Sequence, residues 1–295
     1  MKIFYSDTYQ VPLPHEHRFP MDKYQKLRTR LTKEKIIDAE FIESDICDIE
    51  DLYLAHNKEY VDQVLDLSLE RKAARPIGLP LSFEMVLRAR ASLCSFLSAA
   101  ETSLIEGISS SLAGGTHHAH ADRGEGFCFF NDFAVTVRKL HRKNPNLKIL
   151  ILDLDVHQGN GNSSILKHDK NVYIVSFHGQ QNYPYKKIDS HIDIGFEKGT
   201  GDAPYLEELE RQLKLIPNAD LILYQAGVDA LAEDKFGTLN LTHDGLRQRD
   251  QQVFEFVKKR NMKMAMALGG GYSVPIDLTV EAYVNTYREL KKCFF

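Results

Sequence analysis

Four short stretches carry the groups able to do chemistry. In GGTHHAHAD, residues 114–122, three of the chain's twelve histidines, His117, His118 and His120, fall within four positions behind two glycines. Imidazoles so clustered serve as metal ligands, as acid-base catalysts or as solvated surface. In DLDVHQGNG, residues 153–161, Asp153, Asp155 and His157 alternate with Leu154 and Val156, and strand periodicity puts the three polar groups on one face. Singly, each fits a helix cap or a histidine satisfied by a backbone carbonyl. Jointly, two carboxylates buried side by side are too costly without a cation, which favours a metal. Asp229, closing QAGVD at 225–229, alone fits a turn. At the end of a neighbouring strand it would complete an Asp-His-Asp set with an open position, as in catalytic rather than structural zinc sites. A two-metal site needs more carboxylates than these segments supply. In LGGGY, residues 268–272, the glycines admit close backbone approach, and Tyr272 either packs as an aromatic or donates its hydroxyl to an oxyanion.

The elements that must position these groups follow from the apolar pattern. Runs at 149–152, 172–175, 221–224 and 264–268 predict buried strands, with residues 2–5 as an edge or first strand. Helical spacing covers 82–106, 131–142, 205–215 and 242–259, the first of these starting at Ser82 and Met85 and stopping at Gly107. Strands alternating with helices predict an α/β fold, a single domain over 1–295 with a central, mostly parallel sheet flanked by helices on both faces. Ligands of such sheets sit beyond the carboxyl ends of the strands, where three of the four polar stretches fall. Loops at 76–80, 179–189 and 198–204 are the expected rim.

Composition narrows the partners. With 37 basic and 41 acidic residues the formal charge is −4, so no basic stripe for nucleic acid is expected. The four cysteines, Cys47, Cys94, Cys128 and Cys293, form no CxxC pair, which fits a reducing compartment without disulfides or thiolate zinc. No secretory leader and no bilayer-length apolar run is evident, so a soluble cytoplasmic protein without membrane insertion is expected.

GGTHHAHADRGEGFCFFND, DLDVHQGNG, AGVDAL and LGGGY, in this order and at these intervals, resemble the zinc-dependent histone deacetylase family, which has the arginase/deacetylase fold. HRFPMDKY at 17–24, IGLP at 77–80 and HQGNG with Asn160 resemble its class IV and bacterial-type branch. The resemblance implies zinc, with iron(II) as the alternative metal, on Asp155, His157 and Asp229. It implies catalytic roles for His117, backed by Asp153, for His118, backed by Asn160, and for Tyr272 as oxyanion donor. Some branches carry Asp at the position of Asn160; an amide offers His118 no full charge. A structural potassium is implied at Asp153, Asp155, His157, Ser176 and Phe177, and a substrate tunnel at Gly126, Phe127 and Tyr183, with Arg18 near its foot. His178, which follows the potassium-site segment, is a candidate for a role at the rim. His120 is expected to face solvent or a loop, and His15, His17 and His56 to be surface or cap histidines.

The implied activity is hydrolysis of an acyl amide, with N-ε-acetyl-lysine of a peptide or protein as the expected substrate and partner. The alternatives are a small-molecule amidohydrolase acting on acetylpolyamines and a lysine defatty-acylase. An arginase-type two-metal hydrolase and a silent acyl-lysine binding module are weaker, since the carboxylates for the first are lacking and no ligand is lost for the second.

Overall fold

The computed structural model describes residues 1–14 and 16–295; His15 lies outside the described residues. Eight strands form one sheet: β1 (Lys2–Tyr5), β2 (Glu40–Glu43), β3 (Ile108–Ser111), β4 (Ile149–Asp153), β5 (Val172–Gly179), β6 (Ile192–Phe196), β7 (Leu221–Gln225) and β8 (Lys263–Ala267). Their order is β2-β1-β3-β8-β7-β4-β5-β6, and every neighbouring pair is parallel. The expected sheet, mostly parallel, is therefore wholly so. The helices are α1 (Lys23–Lys33), α2 (Ile49–Leu52), α3 (Lys58–Leu65), α4 (Arg71–Ala74), α5 (Phe83–Glu106), α6 (Asp132–Lys143), α7 (Asn160–Leu166), α8 (Asp202–Leu215), α9 (His243–Lys259) and α10 (Ile276–Phe294).

Strand alternation builds two cores. Leu150, Leu152, Ile222, Tyr224, Met264 and Met266 face one side, where α1, α8, α9 and α10 pack. Ile149, Ile151, Leu221, Leu223, Ala265 and Ala267 face the other, against α3, α5 and α6. Central strands covered on both faces must be apolar at every position, which is why β4, β7 and β8 read as continuous runs. Helix α5 begins as the sequence predicts: the Ser82 side chain accepts from Met85 N, and Gly107, at φ 92°, ends it.

Register brings the carboxyl ends together. Asp153 stands opposite Ser176 on one side and Gln225 on the other, and Gln225 opposite Ala267. The functional stretches leave the sheet at this one level. Strand β4 stops at Asp153, so Asp155 and His157 lie in the following loop and not on a strand face. Their convergence comes from that loop's packing, in which Leu154 and Val156 extend the core.

One buried side chain ties these strand ends together. Arg249 of α9 is fully buried and its guanidinium donates to the carbonyls of Leu154 and Gly227, in the segments that leave β4 and β7. It pairs with Asp250 at 2.7 Å, whose carboxylate also accepts from Tyr224 and Thr286. Arg249→Met should leave that carboxylate uncompensated and lower the unfolding free energy by about 3–5 kcal/mol, measurable by urea denaturation.

Candidate active site

At the level where β4, β5, β7 and β8 end, a cavity of about 820 Å³ opens, lined by His117, His118, Asp155, His157, Phe127 and Tyr272 among others. Its size is that of a small-molecule pocket. Phe19, Phe127, Phe236 and Tyr272 form aromatic walls, with ring centroids 5.0–6.4 Å apart.

Asp155, His157 and Asp229 each offer one ligand atom, all within 4.8 Å of one another. Asp155 and Asp229 are buried, and His157 Nδ1 lies 3.1 Å from Asp155 Oδ1 and 3.0 Å from Asp229 Oδ2. The other carboxylate oxygens are held by backbone: Gly270 N donates to Asp155 Oδ2 at 2.7 Å and Val156 N to Asp229 Oδ1 at 2.9 Å. Two buried carboxylates and an imidazole converging on one point fit a divalent cation of the zinc type. Among the protein groups alone, burial raises Asp229 to about 7, with Asp155 adding to it. Burial also opposes a charged His157, yet Asp155 and Asp229 outweigh it and hold the imidazole at about 10. Gly270 has no room for a side chain, since a Cβ there would stand 1.9 Å from Asp229 Oδ2.

The two histidines stand beside this group without joining it. Their ring centroids are 4.1 Å apart. His117 Nδ1 is 2.7 Å from Asp153 Oδ2, as the sequence resemblance implies. Burial opposes its charge, but Asp153 and Asp155 outweigh that and raise it to about 9. His118 Nδ1 is 2.7 Å from Asn160 Oδ1; burial first, then His117 and His157, push it well below the usual imidazole range. The surroundings thus push the two rings in opposite directions, His117 toward the charged form and His118 toward the neutral one. The segment carrying them is fixed by Asp132, which accepts from the N–H groups of Gly115 and Thr116.

Gly126 and Phe127 line the cavity, both at positive φ, 58° and 67°. A Cβ on Gly126 would lie 2.5 Å from His118 Cδ2. Gly126→Ala should therefore displace His118 and lower kcat at least tenfold, with the melting temperature moving far less; steady-state kinetics and a thermal melt check both. Tyr183 meets the His118 ring edge-on at 5.1 Å. Ser176 and Phe177 belong to β5, beside Asp153.

Other expectations are corrected. Arg18 is exposed, so it lies at the mouth and not at the foot. His120, expected at solvent or a loop contact, is buried, with Nδ1 at 2.8 Å from Ser164 Oγ and Nε2 at 3.1 Å from Asn160 Nδ2 and 3.3 Å from the loop residue Glu125. His56 is also buried: its ring bonds the His120 carbonyl and accepts from Asn131 N, which fastens the histidine segment to the start of α6. His17 is half-buried and lines the cavity. His178 is buried, its Nδ1 3.0 Å from Ser176 Oγ, and it does not line the cavity.

Three neighbours of the site are given no role by the sequence pattern, although Lys23 and Glu125 lie within the motifs it singles out. Lys23 is buried, its Nζ 3.2 Å from Gly271 O and 4.9 Å from the centre of the Tyr272 ring. Asp234 accepts from Tyr272 N at 2.6 Å. Glu125 accepts from Asn160 Nδ2 at 2.6 Å; burial raises its carboxyl, but hydrogen bonds from His120 and Asn160 outweigh that and hold it low.

The fold and the site define a class, a wholly parallel α/β protein carrying an Asp-His-Asp group at its strand ends. The histone deacetylase domain matches residues 17–287, and the chain belongs to the histone deacetylase family of hydrolases. An uncharacterized protein of Picosynechococcus is 36% identical over 99% of both chains. Histone deacetylase 2 of Arabidopsis thaliana is 26% identical over 92% of this chain and 74% of its own. The crystal structure of an HDAC homolog from Aquifex aeolicus superposes with a TM-score of 0.83 at 23% identity, over 99% of this chain and 84% of that one. Among the described residues, no helix is long and apolar enough to cross a membrane.

Proposed function

We propose that residues 1–295 form one catalytic domain that hydrolyses N-ε-acyl-lysine in peptides or proteins, in the cytoplasm, with zinc held by Asp155, His157 and Asp229. The observation that carries this is the convergence of those three ligand atoms within 4.8 Å, beside the paired rings of His117 and His118. Bound there, the cation supplies Lewis acidity to an acyl carbonyl and to a water. The neutral His118 takes the water's proton and returns one to the leaving amine. His117, kept charged by Asp153, stabilises the negative charge that gathers between them. Tyr272 donates its hydroxyl to the carbonyl oxygen as charge develops on it. Gly126, Phe127 and Tyr183 guide the lysine stem, whose methylenes suit aromatic walls. Asp153, Asp155, His157, Ser176 and Phe177 are proposed to hold a potassium ion, an oxygen-rich setting that suits a hard cation.

A peptide substrate is favoured over a free polyamine by Tyr185, which lines the cavity and is 90% exposed, an apolar surface for residues flanking the lysine. Turnover on an acetyl-lysine peptide should exceed that on acetylpolyamines by at least about tenfold in kcat/KM, ~1.4 kcal/mol. The reverse order would make the protein a small-molecule amidohydrolase. The same zinc-reconstituted protein, assayed on peptides carrying acetyl to myristoyl groups, sets the acyl length.

A further inference from the structure

The hydrogen bonds behind His118 run in one direction. Ser164 Oγ donates to the Gly161 carbonyl at 2.9 Å, which leaves that oxygen to accept from His120 Nδ1–H at 2.8 Å. With the ring proton on Nδ1, His120 Nε2 is an acceptor, and it lies 3.1 Å from Asn160 Nδ2. The Glu125 carboxylate, an acceptor only, lies 2.6 Å from the same Nδ2. With a ring proton on Nε2 instead, that nitrogen donates to Glu125 Oε1 at 3.3 Å, and Asn160 still donates to Glu125. In either state the amide nitrogen is turned toward Glu125.

Asn160 Oδ1 must then face the opposite way, where His118 Nδ1 is 2.7 Å off. An amide oxygen only accepts, so His118 carries its proton on Nδ1 and keeps a lone pair on Nε2. A flipped amide would set an N–H against Nδ1, move the ring proton to Nε2 and remove the base. The full charge that Asn160 cannot offer is present one hydrogen bond further out.

We infer that Glu125 is a positioning residue which, through the orientation of the Asn160 amide, fixes the base-competent tautomer of His118. This rests on the proposed role of His118, and the test separates the two. Long-range proton–nitrogen correlation spectra of the imidazoles report the tautomer directly, in zinc-loaded and metal-depleted protein alike, with His118 assigned from His118→Ala. The wild type should show the Nδ1–H form. Glu125→Met should shift His118 toward Nε2–H and lower kcat on an acetyl-lysine peptide roughly 10- to 100-fold, with KM within about twofold.

Adding Asn160→Asp to Glu125→Met gives His118 a carboxylate directly, and should restore both the Nδ1–H signal and most of kcat. Asn160→Asp alone sets two carboxylates against each other and should perform worse than the double variant. An unmoved tautomer in Glu125→Met, or a double variant no better than Glu125→Met, would overturn the assignment. If the tautomer shifted as expected while the wild type cleaved no acyl amide, the Glu125 assignment would be upheld and the proposed function would fall.

Discussion

Tyr272→Phe will lower kcat on an acetyl-lysine peptide by roughly 100- to 1,000-fold, with KM changed little, the loss expected when one donor to a developing oxyanion is removed. The substitution deletes a single oxygen from a side chain whose surroundings are otherwise retained. Its ring packs against Phe236 at 5.0 Å and beneath Lys23 Nζ at 4.9 Å, and its backbone N–H is held by Asp234; none of these contacts uses the hydroxyl. Burial, reinforced by the Asp229 and Asp155 charges, raises the phenol well above its usual range, so it stays a protonated donor across the working pH. Zinc content and melting temperature should match the wild type. A variant that kept wild-type kcat would remove Tyr272 from the mechanism.

Asp229→Ala will abolish stoichiometric zinc binding, and activity with it. Asp229 does two jobs: Oδ2 faces His157 and Oδ1 accepts from Val156 N at 2.9 Å, so the alanine removes a ligand and frees the loop that presents the other two. In the wild type, zinc at a hundredfold excess over its dissociation constant should stabilise the fold by about 2.7 kcal/mol, a rise in melting temperature of roughly 5–10 °C that a chelator reverses. Asp229→Ala should show neither the rise nor the reversal. Elemental analysis and paired thermal melts check this, and an undiminished zinc content would refute the ligand role.

What the sequence makes legible depends on how each group is held. Strands β4, β7 and β8 are buried on both faces, so their apolar runs declare them. Strand β3 does not: its buried residues are Ser109, Ser110 and Ser111, satisfied by pairing Ser111 with Ser95 at 2.7 Å and Ser110 with Tyr287 at 2.9 Å. Of the edge strands, β6 alternates with exposed residues and β2 is two apolar residues between glutamates, so neither has a long run. Helix α10 does carry apolar residues at helical spacing, Val280, Tyr283, Val284, Tyr287 and Leu290, and extends the predicted pattern beyond Tyr272.

The same contrast holds in the site. Two carboxylates and a histidine crowded at strand ends announce a cation, because little else makes that burial tolerable. Glu125 announces nothing. Its partner Asn160 is 35 positions away, it sits in a loop without periodicity, and its effect on His118 passes through an amide whose orientation only the folded network decides. His120 was indistinguishable from a solvated neighbour for the same reason, since its partners lie on α7 and beyond the turn at Glu125.

The place of β8 in the sheet has a consequence for biosynthesis. It lies between β3 and β7, joining β2-β1-β3 to β7-β4-β5-β6, yet it is the last strand in the chain. On the ribosome these two groups of strands have no common hydrogen-bonded ladder until residues 263–267 emerge, and the exposed edges of β3 and β7 await the same segment. Tyr272 follows that strand by five positions. Closure of the sheet and delivery of Tyr272, the proposed oxyanion donor, are thus one late event in translation.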